Sequence, residues 1–308
     1  RERTMAQAAS IPDILNDFYA QNPTNTTTAG VFVSGIRSGV GKSTFSLSLI
    51  GNLLKEGLDS SDVSYIKPVT QCEGVQTVSQ FCHHKGIRHV DLGPVVFRQG
   101  FTYNVIEEDT TESREQRLKE VVEAVRQVSK EKKFVVVDGL GYPSVGSVAG
   151  VCNAQVAAAL GLPVILVGTS GVGDAIDSLN MARAYFERHS VPVIGAVFGK
   201  VRTDCPRHSF SNCVKYVSKY FEATSFPIFG FVPESPLVKV EREEATCVFV
   251  PQARALLEKS PPPEGKCCHR DLSVSDDAIK KAEATVSEFG THVDFVALVK
   301  AVTQVLGK

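Results

Sequence analysis

The chain has no surplus of either charge: 33 Lys and Arg stand against 34 Asp and Glu, leaving a formal net charge of -1 and a pI near 6.7. No global positive field favours a polyanion and no basic cluster stands out, so nucleic acid is not expected as a partner. Long apolar runs are missing too. The longest, such as Phe134–Val137 and Leu162–Val167, fall far short of the roughly 20 residues a membrane helix requires, so no transmembrane segment is expected. Paired cysteine elements are also absent. The eight cysteines, Cys72, Cys82, Cys152, Cys205, Cys213, Cys247, Cys267 and Cys268, follow no repeating spacing. That scatter predicts reduced thiols in an intracellular, most simply cytoplasmic, protein, with a mitochondrial location left open. Cys82-His83-His84 and Cys267-Cys268-His269 lack a second ligand pair at zinc-site spacing, which argues against a metal centre there.

What is present suffices for a full core. Of 308 residues, 43% are hydrophobic and 22% charged, as for one large domain or a domain with an appendage. From Val31 to about Val232 short apolar runs alternate with longer amphipathic stretches. That pattern predicts an α/β fold of three layers, with a mostly parallel central sheet and helices on both faces. Strands are expected near Val31–Ser34, Val63–Lys67, Val95–Phe97, Phe134–Asp138, Val164–Val167, Val193–Val197 and Ile228–Phe231. Helices are expected near Lys42–Glu56, Val75–Cys82, Glu112–Ser129, Ala149–Leu160, Ala175–Arg188 and Arg207–Phe221. In Glu112–Ser129, for example, Leu118, Val121, Val122, Val125 and Val128 recur three and four apart and share one face. The segment 1–30 reads as an extension with a short helix at Ile11–Tyr19, and 31–235 as the main domain. The segment 236–308 reads as a second extension, with a Pro-rich linker at Ser260–Gly265 and helices near Ser275–Glu288 and His292–Leu306.

Gly35-Ile36-Arg37-Ser38-Gly39-Val40-Gly41-Lys42-Ser43-Thr44 follows the first expected strand and opens the first expected helix, the context a phosphate-binding P-loop demands. The glycines let main-chain N–H groups converge on phosphate oxygens, and the helix amino terminus adds favourable partial charge. Lys42 offers a point charge to the β- and γ-phosphates, and the Ser43 hydroxyl a ligand to Mg²⁺. Ser38, Gly39, Val40, Gly41, Lys42, Ser43 and Thr44 are therefore the expected phosphate-binding set, and ATP or another nucleoside triphosphate with Mg²⁺ the expected cofactors. Five residues separate Gly35 from Gly41, where four is usual.

Lys67 follows a strand and precedes Pro68, which holds the chain extended; its ammonium either reaches the crevice of Lys42 or faces solvent at a strand end. Asp138 ends an apolar strand, where a carboxylate is costly unless it meets a metal, a donor or water. It serves either as a Mg²⁺-side acid or as a cap on the following glycine turn.

The longer loop resembles that of dethiobiotin synthetase and its relatives, the cobyrinate and cobyrate amide synthases. Tyr65-Ile66-Lys67-Pro68-Val69 is similar to the family's Tyr-Lys-Pro-Val with an isoleucine inserted. Val135–Gly141 is similar to its strand ending in an acid and a glycine turn, Leu162–Val167 to its next strand, and Gly230–Glu234 to its late strand and nucleotide-side loop. Gly290–Leu298 resembles the terminal helix of the cobyrinate branch. The stronger similarity covers Val31–Glu234.

The resemblance implies an ATP-dependent ligase or carboxylase that phosphorylates a carbamate or carboxylate of a small amine or carboxylate substrate. It implies Lys42 and Lys67 as catalytic residues, and Ser43 and Asp138 at the metal. Ser38, Thr70 and Gln71 would lie on the substrate side, with Phe198, Gly199, Lys200, Pro233 and Glu234 around the base. A homodimer is its default assembly. Three departures stand out. Where the family has an aspartate at the metal site, Val75–Ser79 holds no acid and Gln76 falls near the position. Where it has an asparagine that reads adenine, this chain has Val197-Phe198-Gly199-Lys200, and the strand-end acid is Asp138 rather than glutamate. These departures and the added terminal segments keep open an alternative: a nucleotide-binding but catalytically impaired subunit, joined to a larger assembly through its extensions. A motor or signalling NTPase has no support, since no arginine finger or switch motif is assignable.

Overall fold

The computed structural model describes residues 9–23, 28–71, 75–108, 110–203, 209–234 and 276–308. Nine strands are present among them: β1 (Ala29–Gly35), β2 (Val63–Ile66), β3 (Val69–Thr70), β4 (Arg88–Val90), β5 (Val95–Val96), β6 (Phe134–Asp138), β7 (Val164–Gly168), β8 (Val193–Val201) and β9 (Ile228–Pro233). Seven form one parallel sheet in the order β4-β2-β6-β1-β7-β8-β9. Every residue of β1, β6 and β7 is buried, which is why these strands read as continuous apolar runs: a parallel sheet covered on both faces needs no polar alternation.

The helices are α1 (Ile11–Gln21), α2 (Lys42–Lys55), α3 (Thr77–His84), α4 (Phe101–Glu108), α5 (Thr111–Ser129), α6 (Asn153–Leu160), α7 (Gly173–Arg188), α8 (Phe210–Ala223), α9 (Asp276–His292) and α10 (Phe295–Leu306). The sheet lies between helical layers: α2 contacts α3, α9 and α10, and α3 contacts α9, on one side, and α5 with α6, and α7 with α8, form the other cover. The expected amphipathic face of α5 holds, with Val121, Val125 and Val128 buried.

Two expectations need correction, and one strand of the sheet was not among those expected. Val95–Phe97 is not a strand of the main sheet; its first two residues, β5, pair with β3 in a separate two-stranded sheet. The strand that does flank β2 is β4, whose Arg88-His89-Val90 has no apolar run because an edge strand is half in water. The helix expected from Ala149 begins at Asn153, because Gly146 and Gly150 take positive φ and close a short 3-10 turn first.

The terminal helices lie on the domain. Phe45 of α2 stacks on Phe295 at 6.2 Å and meets Phe289 at 6.4 Å, while Asn52 Nδ2 donates to Val286 O at 2.9 Å. Glycine is required at Gly51, where any Cβ would collide with Val286. Ile11, Leu15 and Phe18 of α1 are buried, and Tyr19 OH both accepts from Ala29 N at 2.8 Å and donates to Lys133 O at 2.9 Å. The apolar faces of α1, α9 and α10 thus turn inward, and α9 and α10 brace the helix that opens at Lys42. The Ser260–Gly265 linker, Cys72, Cys205, Cys247 and Cys267-Cys268-His269 lie outside the described residues.

Candidate active site

The phosphate loop leaves β1 at Gly35 and enters α2 at Lys42. Gly39 and Gly41 adopt φ of 78° and 95°, the left-handed region in which a Cβ is disfavoured. Gly41 caps α2 without a side-chain hydrogen bond, so the helix offers its first N–H groups to a ligand. At Gly35 a Cβ would meet the carbonyl oxygens of Arg37 and Gly141 at 2.8 and 2.9 Å, so the loop closes tightly against the turn that follows β6. Ser38, exposed on the loop, lies beside Gly141.

That turn is held by a residue the sequence reading passed over. Asn153, 2% exposed at the start of α6, accepts from Leu140 N at 2.9 Å through Oδ1. Its Nδ2 donates to Leu140 O at 2.9 Å, Tyr142 O at 3.1 Å and Ser34 Oγ at 3.1 Å. It therefore latches the Gly139–Tyr142 turn to β1. Asn153→Ala should lower unfolding free energy by about 2–4 kcal/mol, because several buried groups lose their partner together; urea unfolding measures it, and a loss under about 0.5 kcal/mol would disprove the latch.

Four side chains from three elements converge beside the loop. Ser43 Oγ donates to Asp138 Oδ2 at 2.8 Å, and Tyr65 OH donates to the same oxygen at 3.3 Å. Lys67 Nζ lies 3.6 Å from that oxygen and donates to Ser43 Oγ at 3.4 Å. Period two explains the convergence: Tyr65 and Lys67 fall on one face of β2 and its extension, and the β2–β6 register sets Tyr65 beside Val136, which shares a face with Asp138. Lys67 itself is fixed by a close backbone approach, since a Cβ at Gly93 would collide with the carbonyl oxygens of Lys67 and Pro68. Burial, and then the Asp138 carboxylate beside it, push the Tyr65 phenol well above its usual pKa, so it stays a donor.

Gln76 joins this group. Its Oε1 accepts from Lys67 Nζ at 3.2 Å and its Nε2 approaches Thr70 Oγ1 at 3.4 Å. Thr70 is buried and Gln71 exposed. Of the residues grouped around the base, Phe198 has its ring in the core, stacked on Phe231 at 5.1 Å, and Gly199 is buried. Lys200 is exposed at φ 52°, and its Nζ donates to Gly39 O at 3.2 Å across the phosphate loop. Glu234 N donates to Val201 O at 2.8 Å, keeping the Pro233-Glu234 end of β9 against the end of β8. Arg37 and Asp174 pair at 3.0 Å, both half exposed, linking the loop to α7.

Asp138 is fully buried and its Oδ1 has no hydrogen-bond partner among the described residues. A buried carboxylate with one oxygen unpartnered and the other on the Ser43 hydroxyl is the hard oxygen donor set that Mg²⁺ or its water shell takes, so these residues fit that ion. Among the described residues no group of three or more His, Cys, Asp or Glu side chains could hold a metal on its own. Cys82 is buried, and that burial raises its thiol pKa, which disfavours it as a ligand. No helix among the described residues is long and apolar enough to cross a membrane.

A family model, AAA_26, described as an AAA domain, matches residues 29–242. The chain belongs to this family. It is a dethiobiotin synthetase-like P-loop protein. It is 28% identical over 186 residues to the ATP-dependent dethiobiotin synthetase BioD of Anaeromyxobacter dehalogenans strain 2CP-C, covering 56% of this chain and 76% of that protein. The BioD of Anaeromyxobacter sp. strain K matches with the same identity, length and coverage. Among solved structures, the MinC:MinD cell division protein complex of Aquifex aeolicus aligns at a TM-score of 0.42 with 13% identity, over 77% of this chain and 99% of that one.

Proposed function

We propose that the chain binds ATP with Mg²⁺ at the phosphate loop and transfers the γ-phosphoryl group to a carboxylate or carbamate oxygen of a small molecule. One observation carries this: Lys67 Nζ stands 3.4 Å from Ser43 Oγ and 3.6 Å from Asp138 Oδ2, a second cation beside the P-loop metal-side groups. An ordinary nucleotide-binding loop needs only Lys42; a cation beyond it serves charge on a transferring group. In the transfer, the bond from the γ-phosphorus to the β-bridging oxygen breaks, one to the substrate oxygen forms, and ADP leaves with the electron pair. Lys42 holds the β- and γ-phosphates, and Lys67 offsets charge on the substrate oxygen and the moving phosphoryl. Mg²⁺, when bound, neutralises charge on the phosphate oxygens; Ser43 and Asp138 are the residues that would hold it or its water. The amine nitrogen then attacks the carbonyl carbon of the mixed anhydride, the carbon–oxygen bond to the phosphate breaks, inorganic phosphate leaves with that electron pair and the amine gives up a proton, closing a ring where the amine belongs to the same molecule. Thr70, Gln71 and Ser38 supply the substrate side, and a homodimer is the assembly that accords with the family.

The deciding experiment follows ATP consumption with and without diaminopelargonic acid and bicarbonate, reading product mass directly. ADP release that depends on the diamine, with a cyclic urea of the expected mass, supports the ligase. Nucleotide binding without any acceptor-dependent turnover favours the second reading, a binding subunit with impaired catalysis.

That second reading rests on Gln76. An amide beside Lys67 carries no charge, so among the described residues the group around Ser43 and Lys67 holds one carboxylate, Asp138, to act with the triphosphate. Turnover should accordingly be slow and demand high Mg²⁺. Gln76→Asp should raise turnover, or lower the Mg²⁺ concentration for half-maximal rate, by several-fold, on the order of one restored ion-pair interaction. If that variant changes neither in steady-state kinetics, the binding subunit is the better description.

A further inference from the structure

Asp138 presents its two oxygens unequally. Oδ2 takes Ser43 Oγ at 2.8 Å, Tyr65 OH at 3.3 Å and Lys67 Nζ at 3.6 Å, while Oδ1, buried in the same side chain, has no hydrogen-bond partner among the described residues. The terminal torsion of a carboxylate is soft, so an unheld group would rotate to share its donors between both oxygens. Here every donor falls on one.

Those donors are not equivalent once a nucleotide arrives. Ser43 opens α2 beside the phosphate loop, and its hydroxyl is the group a metal would take. Lys67 is 12% exposed and already shared among Ser43, Gln76 and Asp138, so a phosphoryl group competes for it. Tyr65 differs in both respects. It is 1% exposed within β2, and its hydroxyl has Asp138 Oδ2 as hydrogen-bond partner.

We infer that Tyr65 is a positioning residue that keeps Asp138 Oδ2 anchored on the Ser43 side when Ser43 and Lys67 turn to the nucleotide, so that the carboxylate keeps its orientation toward a hydrated divalent cation held there. The inference rests on the assignment of Asp138 to the metal side. Removing the phenolic hydroxyl removes the donor that ligand binding does not claim. The carboxylate then rotates, and its hold on the cation weakens, while the contacts of the phosphate loop to the triphosphate are untouched.

The test compares wild type, Tyr65→Phe and Asp138→Asn by calorimetric titration of ATP at a series of Mg²⁺ concentrations and in EDTA, with Mn²⁺ binding to the ATP complex followed by electron paramagnetic resonance. Tyr65→Phe is expected to raise the Mg²⁺ concentration for half-maximal ATP binding, and the Mn²⁺ dissociation constant, about tenfold, the worth of one hydrogen bond to a charged group. Its ATP affinity in EDTA should match wild type. A lowered melting temperature with no change in Mg²⁺ or Mn²⁺ dependence would mean that the hydroxyl serves packing alone, and overturns the inference. The Asp138→Asn variant separates the two levels. If it shifts the metal dependence and Tyr65→Phe does not, the positioning role fails and the metal assignment stands; if Asp138→Asn shifts nothing, both fail. Should Tyr65→Phe not fold, Tyr65→Met, which fills similar space without a donor, enters the same comparison.

Discussion

Lys42→Ala is expected to abolish measurable triphosphate binding while leaving a folded chain. The ammonium on the first residue of α2 is the charge that this loop motif directs at both terminal phosphates. Two charge-assisted hydrogen bonds at about 1.5–3 kcal/mol each amount to a loss of at least about a hundredfold in affinity. The fold should survive. Lys42 is 8% exposed, so its removal takes a cation out of partial burial and opens a space at the mouth of the site that water enters. The helix behind it stays held by Phe289, Phe295 and Val286. Calorimetry with ATP, beside a thermal melt, checks both parts: a folded variant with unchanged affinity would show that Gly35–Thr44 is a glycine-rich turn and nothing more.

How much of this was visible beforehand depended on whether a residue's role lay in its own segment. β1, β6 and β7 were legible because each is buried throughout, and the phosphate loop because its spacing and its strand and helix context lie within one stretch. β4 was not, since a short edge strand with Arg88 exposed carries no hydrophobic signature. α4 was missed for a related reason: only Val105 of its eight residues is buried, so no stripe marks it. Within the site, Lys42, Ser43, Lys67 and Asp138 stood out as charged or hydroxyl groups at strand ends or at the start of a helix. Tyr65 and Asn153 did not, since each acts through a partner far along the chain, 73 residues on to Asp138 and 119 residues back to Ser34. The face shared by Tyr65 and Lys67 was readable from period two, but which neighbour that face meets was set by the β2–β6 register. The inward packing of α9 on α2 was hidden in the same way: the amphipathic pattern was plain, and its cover was not.

Lys67→Ala is the change that separates binding from chemistry. The ammonium stands beside Ser43, Asp138 and Gln76 rather than inside the phosphate loop, so ground-state contacts to the triphosphate should be nearly preserved and ATP affinity should stay within about threefold of wild type. Phosphoryl transfer should fall by about a hundredfold or more, the usual size of a lost charge-stabilising donor at a reacting centre. The substitution also strips a cation from a fully buried carboxylate, although Ser43 and Tyr65 continue to donate to it. Unfolding stability should therefore drop by about 1–3 kcal/mol, less than for a pair whose survivor has no other partner. Single-turnover transfer measured beside calorimetry distinguishes the outcomes. Equal losses in affinity and transfer would make Lys67 an ordinary phosphate ligand. Loss of stability with transfer intact would make it a structural counter-ion for Asp138, and would remove the observation on which the ligase assignment stands.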